Sequence, residues 1–186
     1  WAAGLVACAA VGLGTVAWLG VHPQKSTRPL GLALLAQHGP GEPVFMLGRY
    51  DYDVPVYAAL RDPVFVVDDW AAPALRRADD WHRELLDAAG FAPGPAAQAL
   101  LSREAFPAAV CATGTAWVIG TAAQEAAFPF LAAASHVATN GDVRLWKVDA
   151  SAPAVRSACA GTPNGGLPRT SPPPRPAARP PAPPDS

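Results

Sequence analysis

Pro43-Val44-Phe45-Met46-Leu47-Gly48 and Pro63-Val64-Phe65-Val66-Val67-Asp68 are the stretches on which the fold of this chain turns. Each is a four-residue apolar run with no polar alternation, opened by proline and closed by glycine or an acidic residue. A strand that is apolar at every position has to be covered on both faces, as strands are in a parallel sheet between two helical layers. Parallel neighbours need a crossover, and the segment from Asp53 to Leu60 is long enough for a compact helix. A third run, Ala116-Trp-Val-Ile119, follows two stretches of helical pattern, from Asp79 to Ala89 and from Ala96 to Ala105. Gln124 to Ala134 reads as a helix interrupted at Pro129.

Ser135–Ala138 and Val143–Val148 flank Asn140-Gly141, a dipeptide suited to the two positive φ angles of a tight hairpin turn. At the other end of the domain, Ser26 or Thr27 before Pro29 marks the start of a helix that stops at Gly39-Pro40. Its Leu30, Leu34 and Leu35 recur at helical spacing and should face the sheet. The expected fold is an α/β domain over residues 22–150. It is a three-layer α/β/α sandwich of about five strands with right-handed crossovers, a mostly parallel sheet ending in an antiparallel hairpin.

Residues Trp1 to Gly20 carry no charged side chain. Twenty helical residues extend about 30 Å, the thickness of a bilayer core, so residues 1–21 are expected to form a transmembrane helix. Its many Ala and Gly residues suit close packing against other helices, and Trp1 and Trp18 stand where interfacial anchors would. Leu5-Val6-Ala7-Cys8 resembles a lipoprotein cleavage site, and an apolar N-terminus can be a cleaved signal. Both fit poorly, because no basic segment precedes the apolar run and the run continues past Cys8. The chain begins at Trp1 without an initiator Met, so the span is expected to be the last of a larger membrane domain. Residues 151–186 are expected to be a disordered tail: Pro163 to Ser186 holds ten of the 22 prolines and too few apolar side chains to offset ordering entropy.

The charges nearly balance, 14 basic against 15 acidic. No basic face or run points to nucleic acid. His22, His38, His82 and His136 show no metal-ligand spacing, so no zinc site is expected. Asp79-Asp80-Trp81-His82 looks locally like an acid/base cluster, but acidic residues at the first turn of a helix answer the helix dipole equally well. Ala112-Thr113-Gly114-Thr115 holds a single glycine, and no strand is followed by a phosphate-cradling loop. Cys111 and Cys159, the two cysteines outside the apolar stretch, could pair in an oxidising compartment; a buried Cys111 with a free Cys159 fits the sequence as well. Ligand sites in open α/β sheets gather at the carboxyl ends of strands. This makes Arg49 to Tyr57, with Arg49, Tyr50 and Tyr57 foremost, the candidate contact for an acceptor or for a membrane domain.

Several short motifs occur in order: Val44-Phe-Met-Leu-Gly-Arg-Tyr50, Val54-Pro-Val-Tyr57, Arg61-Asp-Pro-Val64 and Val66-Val-Asp-Asp69. Asp80-Trp-His-Arg-Glu-Leu85, Phe91-Ala-Pro93 and Trp117-Val-Ile119 continue the series. Together they resemble the segment after the last membrane helix of the lipid A aminoarabinose transferase-like glycosyltransferases, relatives of the protein O-mannosyltransferases. Val54 and Val56 stand where that family usually has Leu and Phe. The resemblance covers about Lys25 to Val148. It implies a bacterial inner-membrane enzyme that moves a sugar from a polyprenyl-phosphate carrier to lipid A or another extracytoplasmic acceptor. Its catalytic groups, and any divalent metal, would lie in membrane-domain loops upstream of Trp1. No catalytic, cofactor-binding or metal residue is therefore assigned here, and the α/β domain would be a non-catalytic periplasmic cap on the membrane domain of the same chain. The alternative is a single-pass anchored periplasmic binding or assembly module. Lys25 and Arg28 beside the span would by themselves weakly favour the cytoplasm, but loops upstream decide orientation in a multi-span protein.

Overall fold

A computed structural model of the chain describes residues 2–21, 26–77, 79–91, 94 and 98–160. The elements in order are α1 (Ala2–Val21), α2 (Arg28–Gln37), β1 (Val44–Leu47), α3 (Asp53–Tyr57), β2 (Phe65–Asp68), α4 (Trp81–Phe91) and β3 (Leu100–Ser102). They continue with α5 (Phe106–Cys111), β4 (Thr115–Thr121), α6 (Ala122–Ala127), a 3-10 turn (Pro129–Ala133), β5 (Ser135–Asn140), β6 (Val143–Asp149) and α7 (Pro153–Ala160).

The strands form one six-stranded sheet in the order β3-β2-β1-β4-β6-β5. β1 pairs in parallel with β2 and β4, and β2 with β3. β6 runs antiparallel to both β4 and β5. The mostly parallel sheet with a closing hairpin is as expected, but a sixth strand joins it. Leu100–Ser102 pairs with Val66–Asp68 where a helix was expected over Ala96–Ala105. Ala96 and Ala97 lie outside the described residues. Three residues are too few for a period to show in sequence, and strand pairing overrides the helix preference of the neighbouring alanines.

All four residues of β1 are buried, and the alternation of the sheet divides them between two cores. Phe45 and Leu47 face a cluster with Phe65, Phe106, Val110, Val118, Leu131, Trp146 and Val155, covered by α5, the 3-10 turn and α7. Val44 and Met46 face a cluster with Leu30, Leu34, Val54, Trp117, Ile119 and Leu145, covered by α2 and α3. The three-layer arrangement follows.

Trp117 is fully buried in the second core. Its indole N–H donates to Glu42 Oε2 at 2.7 Å, and Lys147 Nζ lies 5.0 Å from its ring. Burial works against the Glu42 charge, but the donors Trp117 and Gly39 outweigh it and hold the carboxyl below its usual range.

α2 has Thr27 at its N-cap, and its start joins a local bond to a tertiary one. Thr27 makes no side-chain capping bond, but Ser26 Oγ accepts the Arg28 N–H at 3.2 Å; Asp53, at the start of α3, accepts from Thr27 N at 2.9 Å, from Ser26 Oγ at 3.0 Å and from the Thr27 hydroxyl. Leu30 and Leu34 are buried as expected, whereas Leu35 is half exposed. The α2–α3 crossing is close because Gly31 has no side chain: a Cβ there would stand 2.7 Å from Tyr57 Cβ. α3 ends early, at Tyr57, in a turn where Leu60 N bonds Pro55 O and Ala59 N bonds Val56 O. Ala59 adopts the positive φ of 50° that this double-bonded helix end requires.

In the β5–β6 hairpin Asn140 pairs with Val143, so the loop residues are Gly141 and Asp142. Only Gly141 has positive φ, 62°, at the first loop position, which is the II′ pattern in place of the expected two positive angles at Asn140-Gly141. Asn140 is freed for another task, donating from Nδ2 to Ser26 O at 2.7 Å and tying the hairpin to the start of α2. The helix expected over Gln124–Ala134 is broken at Pro129, as α6 followed by the 3-10 turn.

The folded region also continues past residue 150. α7 buries Val155 in the first core, and Cys159 forms a disulfide with Cys111 at the end of α5, with Cα atoms 5.6 Å apart. α7 leaves no periodic mark in the sequence because Val155 is its one fully buried side chain among those described and the disulfide pins it. The proline-rich stretch from 161 onward lies outside the described residues.

α1 is a twenty-residue helix without a charged side chain, and Leu5, Val6, Val11, Leu13 and Val16 are exposed. Among the described residues no helix is long and apolar enough to cross a membrane. The transmembrane helix expected over residues 1–21 therefore does not emerge from the structure itself.

Two stability measurements check this fold. Burial disfavours the Asp53 charge, but the Thr27 and Ser26 donors outweigh it and lower its pKa. The stabilisation is thus present above the unfolded value of about 3.9 and is lost as pH falls through the lower folded value. Asp53→Asn should cost about 1–3 kcal/mol at neutral pH and flatten the acid limb of a stability–pH curve. The Cys111–Cys159 bond links residues 48 apart. Replacing both by serine should lower unfolding stability by about 2–4 kcal/mol, read by denaturant unfolding under non-reducing conditions.

Candidate functional site at the carboxyl ends of the parallel strands

β1, β2, β3 and β4 run in parallel and end on one edge at Leu47, Asp68, Ser102 and Thr121. Strand order departs in opposite directions from the β1/β4 pair, and such a switch point is where open α/β sheets usually admit a ligand. Here the Gln124 side chain occupies it. A Cβ on Gly48, which has φ of 59°, would stand 2.9 Å from Gln124 Nε2, and a Cβ on Gly120 would stand 3.3 Å from Leu47 Cβ. Gln124 is held in place by a capping box in which Thr121 N donates to Gln124 Oε1 at 2.8 Å and the Thr121 side chain answers the helix backbone. The place at which a nucleotide phosphate would approach the backbone is closed by a side chain.

Beside it, the turn after β1 carries Arg49, Tyr50, Asp51 and Tyr52. The Arg49 fork donates to Asp51 from Nε at 2.5 Å and from a terminal nitrogen at 2.6 Å. Tyr50 packs against the α2–α3 core and meets the Tyr52 ring edge-on, with centroids 4.7 Å apart. The Tyr52 hydroxyl donates to Glu84 of α4. That bond, with lesser help from burial and the Glu84 charge, pushes the Tyr52 pKa up to about 12. Tyr57 stands apart from this group. It lies at the α2–α3 crossing with the Arg28 guanidinium 5.6 Å from its ring centroid.

Beyond β2 a second group gathers that sequence reading did not assemble. His82 places one ring nitrogen 3.2 Å from Asp68 Oδ2 and the other 2.9 Å from Asp80 Oδ1. Trp81 stacks on His82 at 3.5 Å, and Trp70 donates its indole N–H to the Val66 and Leu101 carbonyls, both at 3.1 Å. Asp80 also accepts the His82 backbone N–H at 3.0 Å, which is the helix-capping role open to the acidic pair in sequence. Burial opposes its charge, and the hydrogen bonds from His82 and Arg83 together outweigh it and lower its pKa. Asp68 is two residues beyond Val66 on the same strand face, but only the fold brings it to His82, fourteen residues on.

The chemistry available here is limited by how fully these groups satisfy one another. Both His82 nitrogens, the Asp51 carboxylate and the Tyr52 hydroxyl are engaged within the domain, so none is poised as a nucleophile with its base. Among the described residues no buried side-chain nitrogen or oxygen lacks a partner, and no group of three His, Cys, Asp or Glu could hold a metal. The arrangement is a polar and aromatic contact surface that ties α4 to the sheet.

No family model and no curated protein matches the chain. Among solved structures it is similar to ArnT from Cupriavidus metallidurans in the apo state, at 17% identity and a TM-score of 0.46 over 67% of this chain and 20% of that one. It is similar also to the same protein bound to undecaprenyl phosphate, at 16% identity and a TM-score of 0.46 over 68% and 20%. The chain thus spans about a fifth of the length of the proteins it matches. A likeness of this degree decides neither fold nor function.

The Tyr52–Glu84 bond is open to direct observation. Of the three tyrosines, one should ionise only near pH 12 in an ultraviolet titration. Glu84→Gln should return that transition toward about pH 10, the ordinary phenol value.

Proposed function

We propose that this chain is the C-terminal part of a bacterial inner-membrane glycosyltransferase that transfers a sugar from a polyprenyl-phosphate carrier to lipid A or another extracytoplasmic acceptor. α1 is the last membrane span. The α/β domain is a non-catalytic periplasmic cap, and Arg49, Tyr50 and Tyr57 are contacts toward the acceptor or the upstream membrane domain. The catalytic groups, and any divalent metal, belong to that upstream domain.

The observation that carries this reading is the ordered motif series from Val44 to Ile119 that follows an uncharged twenty-residue helix. Two further features support it. Cys111 and Cys159 are bonded, and disulfides persist outside the reducing cytoplasm. The switch-point crevice is taken by Gln124, which suits a lipid-linked donor better than a soluble nucleotide sugar.

The test uses the intact gene product and the 186-residue chain side by side. Alkaline phosphatase fused after Ala160 of the intact product should be active. In proteoliposomes with a polyprenyl-phosphate sugar donor, the intact product should transfer sugar and the chain alone should not. An inactive fusion, turnover by the chain alone, or a gene with nothing upstream of Trp1 would each overturn the proposal, the last leaving an anchored module.

A further inference from the structure

The outer face of the α2–α3 pair carries apolar side chains that nothing in the domain covers. Leu32 and Leu35 are 44% and 49% exposed, and Val56 on α3 is 75% exposed. Arg28, Leu32 and Leu35 lie at helical spacing on one side of α2. The close crossing at Gly31 and the Arg28–Tyr57 contact bring Val56 and Tyr57 of α3 beside them. Asp53, the acidic residue of α3, is turned inward onto Ser26 and Thr27. No acidic residue precedes Glu42 in the sequence, while Lys25 and Arg28 follow the uncharged stretch.

Chain length limits what can cover this face. Six residues separate the end of α1 at Val21 from the start of α2 at Arg28, a gap of no more than about 25 Å even when fully extended. If α1 spans the bilayer, the start of α2 is tethered within about 25 Å of its surface. Exposed aliphatics, a tyrosine and an arginine whose stem can lie along them are the side chains that partition into the headgroup region.

We infer that the Arg28, Leu32, Leu35, Val56 and Tyr57 face of α2–α3 lies in the headgroup layer of the membrane, docking the α/β domain flat on the lipid. The inference rests on the reading of α1 as a membrane span. It gives the domain a fixed orientation, with the α5–α7 layer turned away from the bilayer.

The experiment uses the full chain with Cys8→Ser and the native disulfide intact, reconstituted into phosphatidylethanolamine/phosphatidylglycerol vesicles. Single cysteines at Leu35→Cys, Val56→Cys, Leu13→Cys and, on the far layer, Ala132→Cys carry a fluorophore, and quenching is compared between lipids nitroxide-labelled at the headgroup and deep in the acyl chain. The expected result is loss of emission at positions 35 and 56 with the headgroup quencher, loss at 13 with the deep quencher, and none at 132. Loss at 13 with none at 35 and 56 would overturn this inference while leaving the span in place, and would point to a protein partner on the patch. No loss at 13 would overturn both. Two labelled sites on separate helices guard against one variant perturbing the fold.

Discussion

The constraint on which the rest of this structure depends is the four-residue strand Val44–Leu47 at the middle of the sheet. Every one of its side chains is apolar and buried, two on each face. Its backbone groups are paired on both edges, with β2 and β4. Such a strand is stable only when both faces are removed from water, so the domain must supply two separate covers.

The two covers are built differently. On one side an aromatic cluster, with Phe45 5.2 Å from Phe65 and 5.3 Å from Phe106, fills the space under α5, and the Cys111–Cys159 bond holds α7 over it. On the other side two short helices are locked by polar contacts at their ends. Asp53 caps α2 from α3, and Asn140 reaches from the hairpin to the same turn. Gly31 lets the pair cross closely, but two short helices have too little inward surface to bury all their apolar residues, and Leu32, Leu35 and Val56 remain outside. That thin cover leaves an apolar face on the outside of the domain.

At the carboxyl edge of the sheet the polar side chains likewise satisfy one another within the domain. Arg49 is neutralised by Asp51, the Tyr52 hydroxyl donates to Glu84, and His82 is held between two carboxylates. Gln124 sits where a phosphate would otherwise approach Gly48.

Local pattern made the central strands, the two-sided core, the broken helix at Pro129 and the hairpin near Gly141 legible in the sequence, because burial on both faces and positive φ leave residue-level marks. It did not reveal β3 or α7. A three-residue edge strand and a helix pinned by a disulfide bury too few side chains to write a period. Nor did it separate Tyr57 from Arg49 and Tyr50, or join Asp68 to His82. What the sequence by itself determined was which residues must be covered, since hydrophobicity is a property of each side chain. Which partner covers each, and which charges meet, was decided only in the tertiary structure, because those contacts depend on the register and crossing of elements far apart in the chain.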